Sequence, residues 1–309
     1  MSAPIKISVV VVTCNHETFI ENTLESILMQ KDIADIEIII ADDSSTDNTP
    51  HIINDYKLRY PDIIQVYTSS SRQGPMAMAQ KGFNMSRGTY MAWLDGDDHW
   101  TYDYKLSKQI DFLDKNPSYS GCFHDARIVS HFEKPPSDSE KDYHRQWKYY
   151  AQFNKYTFPF YPWQLLERQL IPTAALVFKR QCLHNEVFVK YKDLKLSINW
   201  LLHLMIIRSS KFYYFNEVWS VYNDHPRGIS KTSTKESFKK SNISILNLLL
   251  DDPYYMYLRK DVYKAMSREY YQLMNLNKGR KRTLIKPTIR YTLTETKRII
   301  AELFYLYRK

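Results

Sequence analysis

Two apolar, β-branched runs, Ile7–Val12 and Ile36–Ala41, constrain the fold more than any other feature of this chain. A strand with one solvated face alternates between apolar and polar residues, and these runs do not. They read as strands covered on both faces, the habit of parallel sheets. Between them Phe19, Ile20, Leu24, Ile27 and Leu28 recur at helical spacing. The alternation continues with a helix over 50–60, a strand over 63–67, a helix over 76–85 and a strand over 90–94. Repeated βα units of this length predict an α/β fold, a mostly parallel doubly wound sheet with helices on both faces. Further on, a helix over 104–115, a strand over 121–129, a polar loop at 133–146, a strand over 174–178, a helix over 196–209 and a short strand over 211–215 are expected. From about residue 236 every signal is helical. The expected division is a sheet domain over 1–230 and a helical region over 231–309.

Only seven glycines occur, and neither a GxGxxG nor a GxxxxGK[ST] loop is present. Dinucleotide oxidoreductases, Rossmann methyltransferases and P-loop NTPases are thereby disfavoured. Cys14, Cys122 and Cys182 are far apart, without metal spacing, as expected of a reduced cytosolic protein. The first strand begins too early to leave room for a signal peptide, and no apolar run reaches the roughly 18 residues that span a bilayer. The net charge of +9 is unevenly placed: residues 231–309 hold 18 Lys+Arg against 7 Asp+Glu, leaving 25 against 27 in the first 230. Lys278–Arg282 concentrates that charge, and Ile300, Leu303, Phe304 and Tyr307 follow i, i+3, i+4, i+7. An interfacial helix on an anionic membrane surface is one reading, and a solvated charge run beside a packed helix is the other. Nucleic acid is not the expected partner, because no recognition motif accompanies the charge.

The chemistry concentrates where strands end. Tyr90–Leu94 runs into Asp95-Gly96-Asp97-Asp98, three carboxylates within four residues. Such crowding is costly unless compensated, and a divalent cation with oxygen ligands, Mg²⁺ or Mn²⁺, is the usual compensation. Asp97 is the expected direct ligand, with Asp95 binding sugar hydroxyls or completing the shell. At the ends of the first two strands stand Thr13-Cys14-Asn15-His16-Glu17 and Asp42-Asp43. These loops should be neighbours, where a carboxylate can accept a hydrogen bond from a uracil N3–H. Either loop alone is also compatible with capping and turn chemistry.

The segments SVVVVTCNHETFIENTLESILMQ, EIIIADDSSTDNT and WLDGDDHWTYDYKLSKQIDFL together resemble family 2 glycosyltransferases of the GT-A fold, over about residues 5–230. GDDHW, KLSKQIDFL and NPSYSGCFHDARI resemble the branch that builds bacterial surface polysaccharides. The resemblance implies an inverting, metal-dependent hexosyltransferase-type enzyme, cytoplasmic and peripheral on the inner face of the membrane. Its donor would be a nucleotide-diphosphate sugar, UDP-linked, and its acceptor a saccharide or lipid-linked saccharide. By position, Thr13, Asn15, Glu17, Asp42, Asp43, Arg72, Gly74 and Asp95 would bind the nucleotide-sugar, with Asp43 on uracil. Asp95, Asp97 and His225 would bind the metal, and Ile171–Arg180 would line the acceptor side.

One position departs from the family pattern. Asn199 stands where the general base, an aspartate, is expected, and an amide cannot deprotonate an acceptor hydroxyl. Asp193 could supply the carboxylate, or His124 or Asp125 could take over. Otherwise the chain is a weakly active or inactive transferase, or a nucleotide-binding scaffold that lost its base at Asn199. A nucleotidyltransferase would need a Gly-rich basic phosphate loop that this N-terminus lacks.

Overall fold

The computed structural model describes residues 5–33, 35–131, 159–167, 169, 171–183, 194, 196–208, 210–276, 293, 294, 296 and 297. Asp193, the 133–146 loop, the Lys278–Arg282 cluster and the Ile300–Tyr307 pattern lie outside the described residues. The first half runs β1 (Ile7–Thr13), α1 (Ile20–Leu28), β2 (Ile36–Asp42), α2 (Thr49–Arg59), β3 (Ile64–Thr68), α3 (Pro75–Met85), β4 (Tyr90–Asp95), β5 (His99–Trp100), α4 (Lys105–Lys115) and β6 (Tyr119–Ser130). The second continues with α5 (Pro162–Glu167), β7 (Val177–Lys179), α6 (Ile198–Ile207), β8 (Lys211–Asp224), α7 (Ile229–Thr232), α8 (Lys235–Asp251) and α9 (Arg259–Leu276).

The eight strands form one sheet in the order β3-β2-β1-β4-β7-β6-β8-β5. β3, β2, β1 and β4 are parallel, as are β6 and β8, while β7 and β5 run antiparallel to their neighbours. Every residue of β1 is buried, as its lack of alternation demands. On one face Ile7, Val9, Val11, Ile38 and Ile40 join a core with Ile20, Leu24 and Ile27 of α1, Ile53 and Tyr56 of α2, and Leu106, Ile110 and Leu113 of α4. Each such side chain contributes about 1.5–3 kcal/mol on burial. The other face carries α3, so close that a Cβ on Gly82 would sit 2.3 Å from a Val10 methyl. Only glycine permits that approach.

Three features differ from the sequence expectation. The strand expected over 174–178 begins as a 3₁₀ turn, Thr173–Ala175, and only Val177–Lys179 is extended. The indole of Trp100 donates to the Ala174 carbonyl (2.8 Å) and the Gln109 amide to the Ala175 carbonyl (3.0 Å), so side chains replace a neighbouring strand as partners. The short strand expected at 211–215 runs on to Asp224, because its pairing with β6 resumes after irregularities beside Asp125. The two-residue β5 is too short to carry a periodic signal.

The chain divides into two compact units. The sheet, with α1 to α4, belongs to the first. The second comprises α5, the start of α6 and the helices after Arg227. In it the Thr234 side chain caps α8 by accepting from the Ser237 amide (3.1 Å). The Tyr255 hydroxyl donates to the Leu204 carbonyl (2.7 Å), and Lys239 pairs with Glu269 of α9 (3.1 Å). Among the described residues no helix is long and apolar enough to cross a membrane.

At the amino end of the sheet Glu37 is buried as a carboxylate. It accepts from the Ser8 hydroxyl (2.6 Å), the Arg87 amide (2.7 Å) and the Arg87 Nε (2.9 Å). Burial alone would raise its pKa, but these donors and the Arg87 charge outweigh burial and hold it below the ordinary value. The stabilisation is therefore complete above the unfolded-state pKa, about 4.3, and is lost as pH falls through the lower folded-state value. Glu37→Ala should cost about 1–3 kcal/mol at neutral pH, because it strands the buried Ser8 hydroxyl and the Arg87 amide, while the exposed Arg87 guanidinium returns to water. Urea denaturation of both proteins at pH 7 and at successively lower pH should show that gap shrinking as acid is added. A gap constant with pH would contradict this account.

Candidate active site

The register of the sheet brings the functional loops together. Thr13 is the partner of Asp42 and Val12 the partner of Asp95, so the carboxyl ends of β1, β2 and β4 form one row. That is where open α/β sheets bind ligands.

The loops after β1 and β2 are knitted side chain to backbone. Asn15, in the left-handed region at φ 58°, donates its amide to the Ser45 hydroxyl (2.8 Å), and its Oδ1 accepts from the Thr46 amide (2.8 Å). The His16 amide donates to Thr49 Oγ1 (2.9 Å), and Glu17 accepts from the Asn48 amide (2.9 Å). The Cys14 thiol donates to the Asp43 carbonyl (3.0 Å). Asp42 is fully buried and accepts from the Ser45 hydroxyl and amide; burial raises its pKa. Asp43 accepts from the Gln73 amide (2.7 Å) and the Gly74 amide (2.9 Å), which anchors the segment entering α3. Arg72 in that segment lies close enough to Cys14 to oppose, by its charge, the rise that burial imposes on the thiol pKa.

Asp95, the last residue of β4, and Asp97 and Asp98 just after it take three different environments. Burial, then the Asp97 charge, raises the pKa of Asp95, and a hydrogen bond from Thr173 opposes this. Burial and its two acidic neighbours push Asp98 well above the ordinary range. Its Oδ1 accepts from the Asn223 amide (3.0 Å), and the Asn223 side chain donates to the Asp97 carbonyl (2.6 Å). Asp97 goes the other way. Burial works against its charge, but the His225 hydrogen bond and the nearby His16 outweigh it and hold the carboxyl below its usual value. His225 Nε2 is 3.0 Å from Asp97 Oδ2, and His16 Nε2 is 3.7 Å from the same oxygen. Phe19 packs on the His225 ring at 4.8 Å between centroids.

One ligand atom from each of His16, Asp97 and His225 lies within 4.8 Å of the others. Two imidazoles and a carboxylate are a donor set that divalent transition metals accept, so these residues fit a cation. Asp97 and His225, which the sequence reading paired across 128 residues, meet here. Asp95 stands beside them but outside this group of donors.

His16 lies inside the TCNHE segment, and the family resemblance assigns it no role. The usable signal was a histidine in a βα loop next to an acidic strand end. Asn223 carries no signal of its own, and Thr173 is marked only as part of Ile171–Arg180, the segment expected on the acceptor side. Among the candidates for a base, Asn199 lies in the second unit at the first turn of α6, where its Oδ1 accepts from the Trp200 amide (2.9 Å) and from Gln169 (2.7 Å). Asp125 is fully buried in β6 and accepts from the Tyr214 hydroxyl (2.6 Å). His124 is buried beside it, and burial, with the nearby Lys105 charge, drives its pKa well below the ordinary value. Asp193 lies outside the described residues.

The family model described as glycosyl transferase family 2 matches residues 8–171. An uncharacterised protein of Mycobacterium tuberculosis, Rv1520, is 31% identical over 229 residues, 72% of this chain; the chain spans 60% of that relative. A protein of Escherichia coli named UDP-Glc:alpha-D-GlcNAc-diphosphoundecaprenol beta-1,3-glucosyltransferase WfaP is 29% identical over 244 residues, 77% of this chain and 84% of WfaP. In three dimensions the chain resembles TarS 1–349 of S. aureus, solved in complex with UDP-GlcNAc, at a TM-score of 0.68 and 16% identity, covering 94% of this chain and 81% of TarS. That likeness extends to the GT-A fold. With the family model matched across more than half of its length, including the loops just described, the chain belongs to glycosyl transferase family 2.

Proposed function

We propose that this protein transfers a sugar from a UDP-linked donor to a hydroxyl of a saccharide or lipid-linked saccharide acceptor, with inversion, in bacterial surface polysaccharide synthesis. The observation that carries the reading is the meeting of His16, Asp97 and His225 beside the knitted loops of Thr13–Glu17 and Asp42–Asp43. Relatives named for UDP-sugar chemistry and a lipid diphosphate acceptor support it.

In this mechanism Asp43 receives the uracil N3–H on acceptor capacity left by the Gln73 and Gly74 amides; a carboxylate has about four lone-pair sites. Thr13, Asn15 and Glu17 hold the nucleoside, and Arg72 lies along the diphosphate. Asp97 and His225, with His16, would hold a divalent cation, Mn²⁺ or Mg²⁺, and Asp95 would orient the sugar hydroxyls or add a further ligand. When bound, that cation supplies positive charge against the oxygen that leaves with the nucleotide. The acceptor oxygen bonds to the anomeric carbon from the opposite face as the bond to the diphosphate breaks, and its proton passes to a base.

Asp193 is our first choice for that base. Asp125 and His124 are disfavoured by their burial in β6. The second reading, a nucleotide-binding scaffold without transfer, is favoured by the Asn199 amide, which cannot act as a base and is occupied in holding its own helix turn. For the helical region we propose docking on an anionic membrane surface through the charge of Lys278–Arg282 and the apolar stripe Ile300, Leu303, Phe304 and Tyr307.

Calorimetry with a panel of nucleotide-sugars and Mn²⁺ should show UDP-sugar binding that Asp97→Ala and chelation both abolish. Nucleotide binding indifferent to both would remove the clamp. Asp193→Ala should lower kcat by about 10²–10⁴-fold while leaving UDP-sugar affinity unchanged. If instead Asp193→Ala is silent and Asn199→Asp creates transfer from a wild type with none, the scaffold reading is correct. Replacing Lys278, Arg280, Lys281 and Arg282 by serine should release the protein from phosphatidylglycerol vesicles in co-sedimentation. Undiminished binding would sink the membrane proposal.

A further inference from the structure

We propose that Asn223 is a positioning residue of this site, held in place by His131, and that it fixes the turn Asp95–Asp98 against the end of β8. The placement stands on hydrogen bonds within the first unit. Its consequence for a nucleotide-sugar rests on the transferase reading above.

The turn is pinned from three sides. The Gly96 amide donates to the Val12 carbonyl (2.8 Å), and the Asp98 amide donates to the Asp95 carbonyl (3.0 Å). The carbonyls of Gly96 and Asp98 lie 3.0 and 2.8 Å from the hydroxyl of Thr23, a fully buried residue of α1. The carbonyl between them, that of Asp97, accepts from the Asn223 side chain (2.6 Å). The Asn223 backbone amide donates to the Asp98 carboxyl (3.0 Å). One residue of β8 therefore grips the turn by backbone and side chain at once. Two residues further on, His225 Nε2 reaches Asp97 Oδ2 (3.0 Å). The grip of Asn223 thereby sets how Asp97 and His225 face each other.

The direction of the Asn223 amide follows from its partners. Its nitrogen faces the Asp97 carbonyl, because two carbonyl oxygens would repel. Its Oδ1 then accepts from His131 Nε2 (2.7 Å), so that ring nitrogen carries the proton. His131 is anchored in turn, its backbone amide donating to the Asp224 carbonyl (2.9 Å). Its imidazole meets Phe19 edge-on at 5.3 Å, and Phe19 lies against His225 at 4.8 Å between centroids. His131 is exposed while Asn223 is buried, so the imidazole serves the amide rather than the core. Partners of this kind, one step behind the groups that touch a ligand, orient those groups before the ligand arrives.

Hydrogen exchange of the Asp95–Asp98 turn, read by mass spectrometry, and calorimetry with UDP and Mn²⁺ test this on His131→Ala, His131→Gln and Asn223→Asp. His131→Ala should speed exchange at the turn by about 10-fold, as expected for one lost hydrogen bond. It should weaken UDP binding by about 10–100-fold and leave the melting temperature unchanged, because the residue is exposed. His131→Gln, whose amide can still donate to Asn223 Oδ1, should restore both. A merely structural role would speed exchange across the whole sheet and lower the melting temperature. Asn223→Asp removes the donor and adds a negative charge, and these two changes act in opposite directions. Charge alone would tighten Mn²⁺ binding, whereas a displaced turn should weaken it by about 10-fold or more. Should Asn223→Asp fail to fold, the exposed His131 variants still decide. Turn exchange or UDP affinity indifferent to His131→Ala, or tighter Mn²⁺ binding by Asn223→Asp, would overturn the proposal. Turn exchange that follows the expected order in a protein that binds no UDP keeps the positioning role and removes the transferase reading. UDP binding with exchange and affinity unmoved by either residue does the reverse.

Discussion

The first unit is organised around a problem created by its own backbone: the end of β4 delivers Asp95, Asp97 and Asp98 to one corner, with Asp98 buried and the other two partly buried. Three like charges cannot all remain ionised there without compensation. Each finds it in a different part of the chain. Thr173 serves Asp95, His16 and His225 serve Asp97, and the Asn223 backbone serves Asp98. The result is unequal: burial and mutual repulsion push Asp95 and Asp98 toward the neutral form, while the histidines keep Asp97 charged. Meeting this constraint draws the β1 loop, the 3₁₀ turn before β7 and the end of β8 to one place.

The two loops that follow β1 and β2 are a second consequence of the same topology. Adjacent parallel strands end side by side, so their loops must satisfy exposed amides and carbonyls together. Asn15, Glu17 and Asp42 do this with side chains, which leaves a rigid rim beside the acidic corner. A rim built this way supports precise placement of a ligand, because its own hydrogen bonds are already made. Asp43 is the exception that links rim to helix, since it holds the two amides that precede α3.

Much of this was legible in residues alone. The non-alternating runs at Ile7 and Ile36 required strands buried on both faces, and parallel neighbours followed. The abrupt change from Leu94 to Asp95 marked a strand end with chemistry on it. Short or side-chain-satisfied segments were not legible. β5 has two residues, and the turn at Thr173–Ala175 has strand-like composition but gives its carbonyls to Trp100 and Gln109. The far half of β8 was missed because polar residues interrupt its pattern, yet pairing with β6 carries it to Asp224.

The sequence by itself determined the alternating βα architecture, the family, and which loops carry carboxylates, because these depend on local periodicity and on residue types within one segment. Tertiary structure decided which groups share a site. His16, Asp97 and His225 converge through sheet register, which no single segment encodes. It also decided that Asp125 and His124 are interior groups and that the Asn199 amide holds its own helix turn. Burial and hydrogen-bond partners arise only when distant segments pack, and they turn a list of polar residues into ligands, anchors and core.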